Sequence, residues 1–175
     1  MASILVTHDQ SEAITFSERL LLMNTGKLVQ LGSPSEIYRY PRTLWAAGFV
    51  GEANLLTVER RNGLSCTPLG ALSLSRNSEE QAATLIIRPE ELRLEAPQGH
   101  LPNGLITTIE FAGSVQNLRL SLDNGQILRA STSPQRIWSK GERVAVVPEH
   151  CRCFDRDGML LEDEVSIKLN PSPQL

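Results

Sequence analysis

The chain has 175 residues, of which 41% are hydrophobic and 21% charged, and its formal net charge is -3. This composition is typical of a folded globular protein, and the slightly acidic balance argues against a nucleic-acid partner. Three cysteines do not indicate a disulfide framework. No apolar run has the length of a membrane-spanning helix, and the N-terminus lacks the basic region of a secretory signal. We therefore expect a cytoplasmic protein with one ordinary domain and a fragment of another.

The first fifty residues show helical patterns interrupted by short apolar runs. Residues 4–6 are of buried-strand type, and Asp9 is a helix N-cap with an acid three residues later. Residues 20–23 and 28–31 read as two strands joined by a tight turn. A strand at 4–6 belongs in a mostly parallel sheet. We expect this segment to pair with residues 20–23, to exchange into a partner, or to fray.

Two short helices are predicted next. Ser33, Pro34 and Glu36 form a strong start signal, in which the serine caps and the glutamate reaches back. This helix must stop at Tyr40, because Pro41 disfavours the helical conformation of the residue before it. A second helix is expected over residues 44–49.

Beyond residue 51 the strand period dominates, and the asparagine–glycine pairs at 62–63 and 124–125 predict hairpin turns. Many short strands separated by such turns are typical of a small barrel or a sandwich. The predicted strands are 54–59, 84–88, 104–111, 117–122, 127–130 and 143–147.

Residues 6–13, Val-Thr-His-Asp-Gln-Ser-Glu-Ala, closely resemble the switch-histidine segment of the ATPase subunits of importer-type ABC transporters. An ordered set of further matches makes the resemblance specific. These matches lie at residues 19–20, 23–27, 30–34, 36–38 and 49–54. The resemblance implies that His8 contacts the γ-phosphate of ATP, but only in a complete ATPase. ATP and Mg²⁺ are therefore expected as cofactors of the full-length parent, and none for this chain.

Ile87-Arg88-Pro89-Glu90 resembles the "IRPE" element of the TOBE regulatory domain found in maltose-, polyamine- and ferric-iron-type importers. The implied fold is mainly β, with OB-like small barrels of TOBE type preceded by an α/β remnant of the ATPase domain. The expected domains are the remnant at 1–50, the TOBE-like domain at 51–165 and a loose tail at 166–175.

The sequence contains neither a G-x-x-x-x-G-K-[ST] phosphate loop nor a Leu-Ser-Gly-Gly-Gln signature. Residues 160–164 combine two leucines with three acids, but they follow the histidine, whereas the family's catalytic acids precede it. We expect those residues to form a solvated acidic edge. The chain alone is therefore not expected to hydrolyse ATP.

The resemblance also implies partners and a location. We expect a homodimer formed through the β-domain, and permease subunits at the inner face of the plasma membrane. The regulatory β-domain would couple ATP turnover to solute uptake. Residues 49–54 favour ferric-iron and polyamine importers slightly over the others.

Two alternatives rest on other residues. His150, Cys151 and Cys153 are metal-ligating types, but neighbouring ligands on one strand give poor tetrahedral geometry, so we expect ordinary buried cysteines and no metal site. The hydroxyls and amides at 113–114 and 130–133 offer contacts for an oxyanion, although serine and threonine clusters are more often plain turns. A stand-alone oxyanion- or metal-sensing β-module is therefore the competing hypothesis.

Overall fold

The computed structural model describes residues 3–75, 78, 81–97 and 103–168. An N-terminal part of three helices and a two-stranded ribbon precedes a larger, entirely antiparallel β-domain. The elements of the N-terminal part are α1 (Gln10–Phe16), β1 (Leu20–Asn24), β2 (Lys27–Gly32), α2 (Pro34–Arg39) and α3 (Leu44–Phe49). No helix in the described ranges is long and apolar enough to span a membrane.

The helix starts follow the predicted capping chemistry. The Asp9 side chain accepts a hydrogen bond from the Glu12 amide at 3.0 Å, where α1 begins. At the start of α2, the Glu36 amide donates to Ser33 Oγ at 3.2 Å, and the Ser33 amide donates to Glu36 Oε2 at 2.7 Å. The predicted helices after Ser33 and over 44–49 are confirmed, although α2 ends at Arg39, one residue earlier than expected.

Of the three outcomes expected for residues 4–6, pairing with residues 20–23 does not occur. Residues 4–6 lie outside the strands, and β1 pairs with β2 instead. Ile4 and Val6 are 94% and 92% exposed. The apolar run has the composition of a buried strand, but it joins no sheet in the described structure.

Three sheets form the β-domain. In spatial order, the strands of the five-stranded sheet are β11 (Ile127–Thr132), β10 (Gln116–Leu122), β9 (Asn103–Phe111), β12 (Arg143–Pro148) and β8 (Leu92–Glu95). Those of one four-stranded sheet are β14 (Leu160–Glu162), β13 (Arg152–Phe154), β7 (Thr84–Ile87) and β3 (Asn54–Thr57). Those of the other are β15 (Ser166–Lys168), β6 (Gly70–Ser73), β5 (Leu64–Thr67) and β4 (Glu59–Arg61).

One continuous apolar core joins these three sheets. Leu56, Leu85, Ile106, Leu120 and Val144 are completely buried in it and come from five different strands. A small second core lies between the ribbon and the helices α2 and α3. A third cluster lies between them, where Ala47 of α3 packs against β7 and β13. The N-terminal part is therefore joined to the β-domain by packing as well as by the chain.

The mainly β fold class and all six predicted strands are confirmed, with end shifts of one or two residues; the first of them is split into β3 and β4. The structure differs from the expectation in two respects: whether the sheets close into barrels, and whether the residues from 166 onward are loose. Each of the three sheets keeps two edge strands, so the described strands build open sheets rather than a closed barrel. The expected loose tail instead starts with β15, which pairs with β6. Residues 169–175 lie outside the described part.

Candidate functional site: a buried arginine junction

Arg88 lies where β7 ends and a short 3-10 turn, Pro89–Glu91, begins. Because Pro89 excludes the helical conformation from the residue before it, Arg88 is extended, with φ -70° and ψ 150°. Its side chain thereby leaves the sheet and enters the space between the β-domain and the helices α2 and α3. Arg88 is only 1% exposed, although arginine is among the residues that are rarely buried.

The Arg88 guanidinium binds four backbone carbonyls of the N-terminal part. Nη1 donates to the oxygens of Ala47, Gly51 and Glu52 at 3.0 Å each, and Nη2 donates to Tyr38 O at 3.1 Å. The carbonyls of Ala47 and Tyr38 lie in the last turns of α3 and α2, where helical carbonyls lack intrahelical partners and a positive charge is favourable. One buried cation therefore caps both helices.

Tyr38 covers this guanidinium. The Arg88 Cζ atom lies 4.2 Å from the centre of the Tyr38 ring, which is cation–π geometry. The Tyr38 hydroxyl donates to Glu90 Oε1 at 2.6 Å, and burial together with this hydrogen bond raises the pKa of Tyr38 to about 12. Gly51 must be a glycine here, because a Cβ atom at that position would lie 2.8 Å from the Tyr38 ring.

Arg152 on β13 provides a second link to α2. Its guanidinium binds both carboxylate oxygens of Glu91 at 2.9 Å, and its Nε donates to Arg39 O at the C-terminal end of the helix. Glu91 Oε2 also accepts the Arg88 amide at 2.8 Å. Arg152 is 5% exposed, so this bidentate ion pair is buried and its charges are matched. Arg88, Arg152 and their partners are called the arginine junction below.

The pKa of Arg88 is lowered, mainly because burial disfavours its charged form. The nearby Tyr38, Glu90 and Glu91 act in the opposite direction but do not cancel this effect. A guanidinium keeps its proton under such a shift, because its ordinary pKa lies far above neutral pH. Arg88 therefore keeps its positive charge, and we expect it to act as a mechanical link rather than as an acid or a base.

Two further contacts lie beside the junction. The Asn54 side chain at the start of β3 pairs with the backbone of Arg129 on β11, donating to its carbonyl at 2.8 Å and accepting from its amide at 2.7 Å. The Leu44 amide of α3 donates to Gly158 O at 2.8 Å, in the turn between β13 and β14. Helix α3 is thus fixed to the β-domain at both ends.

His8, the site residue named from the sequence, lies elsewhere. It is exposed, just before the N-cap of α1, and its ring takes part in no hydrogen bond with the described residues. The sequence marks Arg88 only as part of a resemblance and does not predict its burial. The one local feature that could have indicated a buried arginine is its position, directly after the apolar run Leu85–Ile87 and before a proline.

The residues considered for metal or oxyanion binding have structural roles. Cys151 and Cys153 are buried free thiols, and no cluster of metal-ligating side chains occurs among the residues that the structure covers. Thr132 Oγ1 accepts from Trp138 Nε1 at 3.1 Å, and Ser133 Oγ accepts from the Gln135 amide at 3.3 Å. These hydroxyls are engaged within the β-domain.

The comparisons with known proteins place the two arginines of the junction inside a recognised domain. Residues 85–154 match the family model of the TOBE domain, and this segment includes both Arg88 and Arg152. The structure of the cytoplasmic molybdate-binding protein ModG aligns with 67% of this chain and 96% of its own, but at a TM-score of 0.40 and 13% identity it supports no argument.

Curated relatives identify the larger protein class. The chain is 39% identical over 144 residues to the sulfate/thiosulfate import ATP-binding protein of Chromobacterium violaceum. It is 37% identical over 150 residues to the spermidine/putrescine import ATP-binding protein of Borrelia garinii subsp. bavariensis, and 37% over 153 residues to the Fe(3+) ions import ATP-binding protein of Pseudomonas fluorescens. These alignments cover 78%, 83% and 83% of this chain.

The same alignments cover 39%, 42% and 43% of the relatives, so the chain spans about two fifths of their length. The chain therefore belongs to the ATP-binding subunits of importer-type ABC transporters and carries a TOBE domain.

Proposed function

We propose that this chain is the regulatory and coupling region of an ABC importer ATP-binding subunit. The observation that supports the proposal is the arginine junction, because two buried cations of the TOBE domain hold the C-terminal ends of α2 and α3. Those helices follow the switch-histidine segment in the chain. A shift of the N-terminal part on ATP binding would therefore move the β-domain with it, rather than be absorbed by a loose linker.

His8 is proposed to contact the γ-phosphate when the rest of the ATPase domain is present. Its exposed ring is free to donate a hydrogen bond, and phosphoryl transfer needs charge stabilisation at that phosphate. The sequence has no phosphate loop, so we propose that ATP and Mg²⁺ are held by other parts of a complete subunit. In this assignment the chain alone does not hydrolyse ATP.

The test compares Arg88→Met with the wild type in the complete subunit, assembled with its permease. ATP hydrolysis and solute uptake are measured on the same vesicles. We expect the hydrolysis per solute taken up to rise about tenfold, which corresponds to a typical coupling free energy between sites. Arg93→Met is the matched control, because Arg93 on β8 is exposed and pairs only at the surface.

Arg88→Lys separates coupling from folding. It keeps the charge, but a single ammonium group cannot bind four carbonyls in a fixed planar geometry. A well-folded Arg88→Lys subunit should show the same direction of uncoupling to a smaller extent. If Arg88→Met folds, assembles and keeps the wild-type ratio of hydrolysis to uptake, the arginine junction does not couple the two events.

The location and the solute are also proposals. We infer that the subunit works in the cytoplasm at the inner face of the plasma membrane, bound to permease subunits. Residues 49–54 favour ferric iron or polyamines, and a relative named for sulfate and thiosulfate adds a third class to be tested. Uptake assays with each of the three solute classes would distinguish them.

We further propose a homodimer formed through the β-domain. Support comes from two large apolar side chains at one end of the five-stranded sheet, Phe111 and Ile137, which are 70% and 87% exposed. Gln116 connects the two segments, because it pairs in register with Phe111 and its side chain donates to Arg136 O at 2.8 Å. Ile137→Glu should shift sedimentation from dimer to monomer, whereas Met159→Glu should not. A wild-type chain that stays monomeric at high concentration would refute the dimer.

A further inference from the structure

A polar cavity of about 270 Å³ lies on the outer face of the five-stranded sheet, next to the arginine junction. Its floor is formed by β9, β10 and β11, and Glu52 and Pro89 form one wall. This volume is slightly below the usual range for small-molecule sites, roughly 300–1,000 Å³. The cavity therefore fits a compact solute rather than a nucleotide or a peptide.

Two arginines face each other in this cavity. Arg119 on β10 is in register with Arg129 on β11, and both side chains are exposed on the outer face of the sheet. Like charges directly opposite each other across a strand pair are unfavourable. Glu52 compensates one of them through an ion pair with Arg129. The Arg119 guanidinium has no acidic partner among the described residues.

Glu110, an acid without an ion-pair partner among the described residues, lines the same cavity as Arg119. Glu110 on β9 is in register with Asn117, two residues before Arg119, so Glu110 and Arg119 are diagonal neighbours. Diagonal positions are roughly 7–8 Å apart, and no ion pair forms between the two side chains in the described structure. Because Glu52 and Arg129 neutralise each other, one cation and one anion remain facing the cavity.

We propose that this cavity binds a small zwitterion that carries an ammonium and a carboxylate group, in the class of free amino acids. The Arg119 guanidinium takes the carboxylate, since its planar fork matches two carboxylate oxygens. Glu110 takes the ammonium group, and Thr108 and Asn117 line the floor between them with a hydroxyl and an amide. A simple anion would be repelled by Glu110 and a simple cation by Arg119, so only a ligand with both charges is complemented.

The position of the cavity gives the ligand a regulatory role. Glu52 lines the cavity, and its carbonyl accepts a hydrogen bond from Arg88 in the arginine junction. A ligand held against Glu52 therefore stabilises the junction in its present conformation. This regulatory role rests on the proposed coupling function, but binding itself does not.

Binding is tested on this chain alone, by calorimetry and amide chemical shifts with the standard amino acids as probes. At least one of them should bind and shift the resonances of β9 and β10. Its N-acetyl derivative lacks the positive charge and its α-amide lacks the negative charge. Each derivative should bind about fivefold more weakly, the size of an exposed ion pair.

Two substitutions test whether Arg119 and Glu110 contact the ligand. Arg119→Gln and Glu110→Gln should each weaken binding about fivefold, since each removes one exposed ion pair with the ligand. Arg143→Gln is the matched control, because Arg143 lies on the same sheet and pairs with Asp123 outside the cavity. The proposal is overturned if no amino acid binds, if either singly charged derivative binds equally well, or if Arg119→Gln has no effect. No ATPase or permease enters this test, so its failure leaves the junction proposal untouched.

Discussion

Arg88 and Arg152 are both buried, but the structure compensates their charges in different ways. Arg152 has a carboxylate, Glu91, which binds it through two parallel hydrogen bonds. Arg88 has only neutral carbonyls and the face of Tyr38, and its Nε has no acceptor among the described residues. Burying a charge is costly unless it is paired and hydrogen-bonded. Arg88 is tolerated because two helix ends and the segment after α3 together supply four carbonyls that need donors.

This difference predicts how two substitutions affect stability. Arg88→Met should lower the free energy of unfolding by about 3 kcal/mol, because several buried carbonyls lose their donor. Arg152→Met should cost at least about as much, since it leaves the Glu91 carboxylate buried without its partner. The measurement is urea unfolding of this chain. Arg93→Met, at an exposed position, should change the free energy of unfolding by less than ~0.5 kcal/mol. If Arg88→Met changes it by no more than Arg93→Met does, the prediction is contradicted.

The three cysteines differ in burial and should differ in reactivity. Burial raises the pKa of the Cys151 and Cys153 thiols to about 12, so almost no thiolate is present at neutral pH. Cys66 on β5 is only partly buried. Alkylation followed by mass spectrometry should therefore modify Cys66 in the native protein, and the other two only after unfolding. Native modification of Cys153 at the rate of Cys66 would show that β13 opens readily.

At the scale of elements, the edge of β11 is covered by a side chain instead of another strand. The Asn54 amide group donates to and accepts from the backbone of Arg129, as a neighbouring strand would. Edge strands present unpaired backbone groups that natural proteins cover or block. A single asparagine thus connects β3 of one sheet to β11 of another.

Asn54→Ala should remove both hydrogen bonds and lower the free energy of unfolding by about 2 kcal/mol, roughly 1 kcal/mol for each bond. The Arg129 amide should then exchange its hydrogen faster than in the wild type. Asn117→Ala is the control, since Asn117 is exposed on β10. Unchanged exchange at Arg129 in Asn54→Ala would mean that another group covers this edge.

The sequence predicted strands from alternating polar and apolar residues, as in β10, and from short apolar runs, as in β7. It placed Cys151 and Cys153 on one strand but did not predict the bounds of β13 or that Arg152, Cys153 and Phe154 are all buried there. This strand lies between β7 and β14 and is covered on both faces, so no alternation marks it. Strands β5 and β6 were not predicted because each has only four residues, too few to show a period.

The junction was harder to predict than the strands for a related reason. Capping boxes and hairpin turns depend on residues within a few positions of each other, and these were predicted correctly. Arg88 contacts carbonyls up to 50 residues away, at Tyr38. Its role depends on how two parts of the chain pack together, and no local pattern records that packing.

At the scale of the whole molecule, the N-terminal part depends on the β-domain for its stability. Its helices have six or seven residues, which is too short for independent stability in water, and its own core contains only four buried side chains. The arginine junction and the packing of Ala47 against the β-domain supply what is missing. The two parts should therefore unfold together, in a single transition.

Three buried or half-buried groups, one tyrosine and two thiols, predict that the chain loses stability at alkaline pH. Burial raises the pKa of Tyr38 from 10.0 to about 12, and that of the Cys151 and Cys153 thiols from 9.0 to about 12. A raised folded-state pKa means that the unfolded state releases these protons first, so unfolding is favoured as pH rises. Stability should be complete below about pH 9 and should fall progressively as the pH approaches 12.

Urea unfolding midpoints measured across this pH range would show the loss. Tyr38→Phe should flatten the part of the curve above about pH 10, because it removes the group that titrates there. Tyr40→Phe is the matched control, since Tyr40 is half exposed and lies two residues further along the chain. An identical pH dependence in Tyr38→Phe and wild type would show that the Tyr38 hydroxyl is not held in its neutral form by the junction. In that case the alkaline loss would have to come from the two thiols of the β-domain.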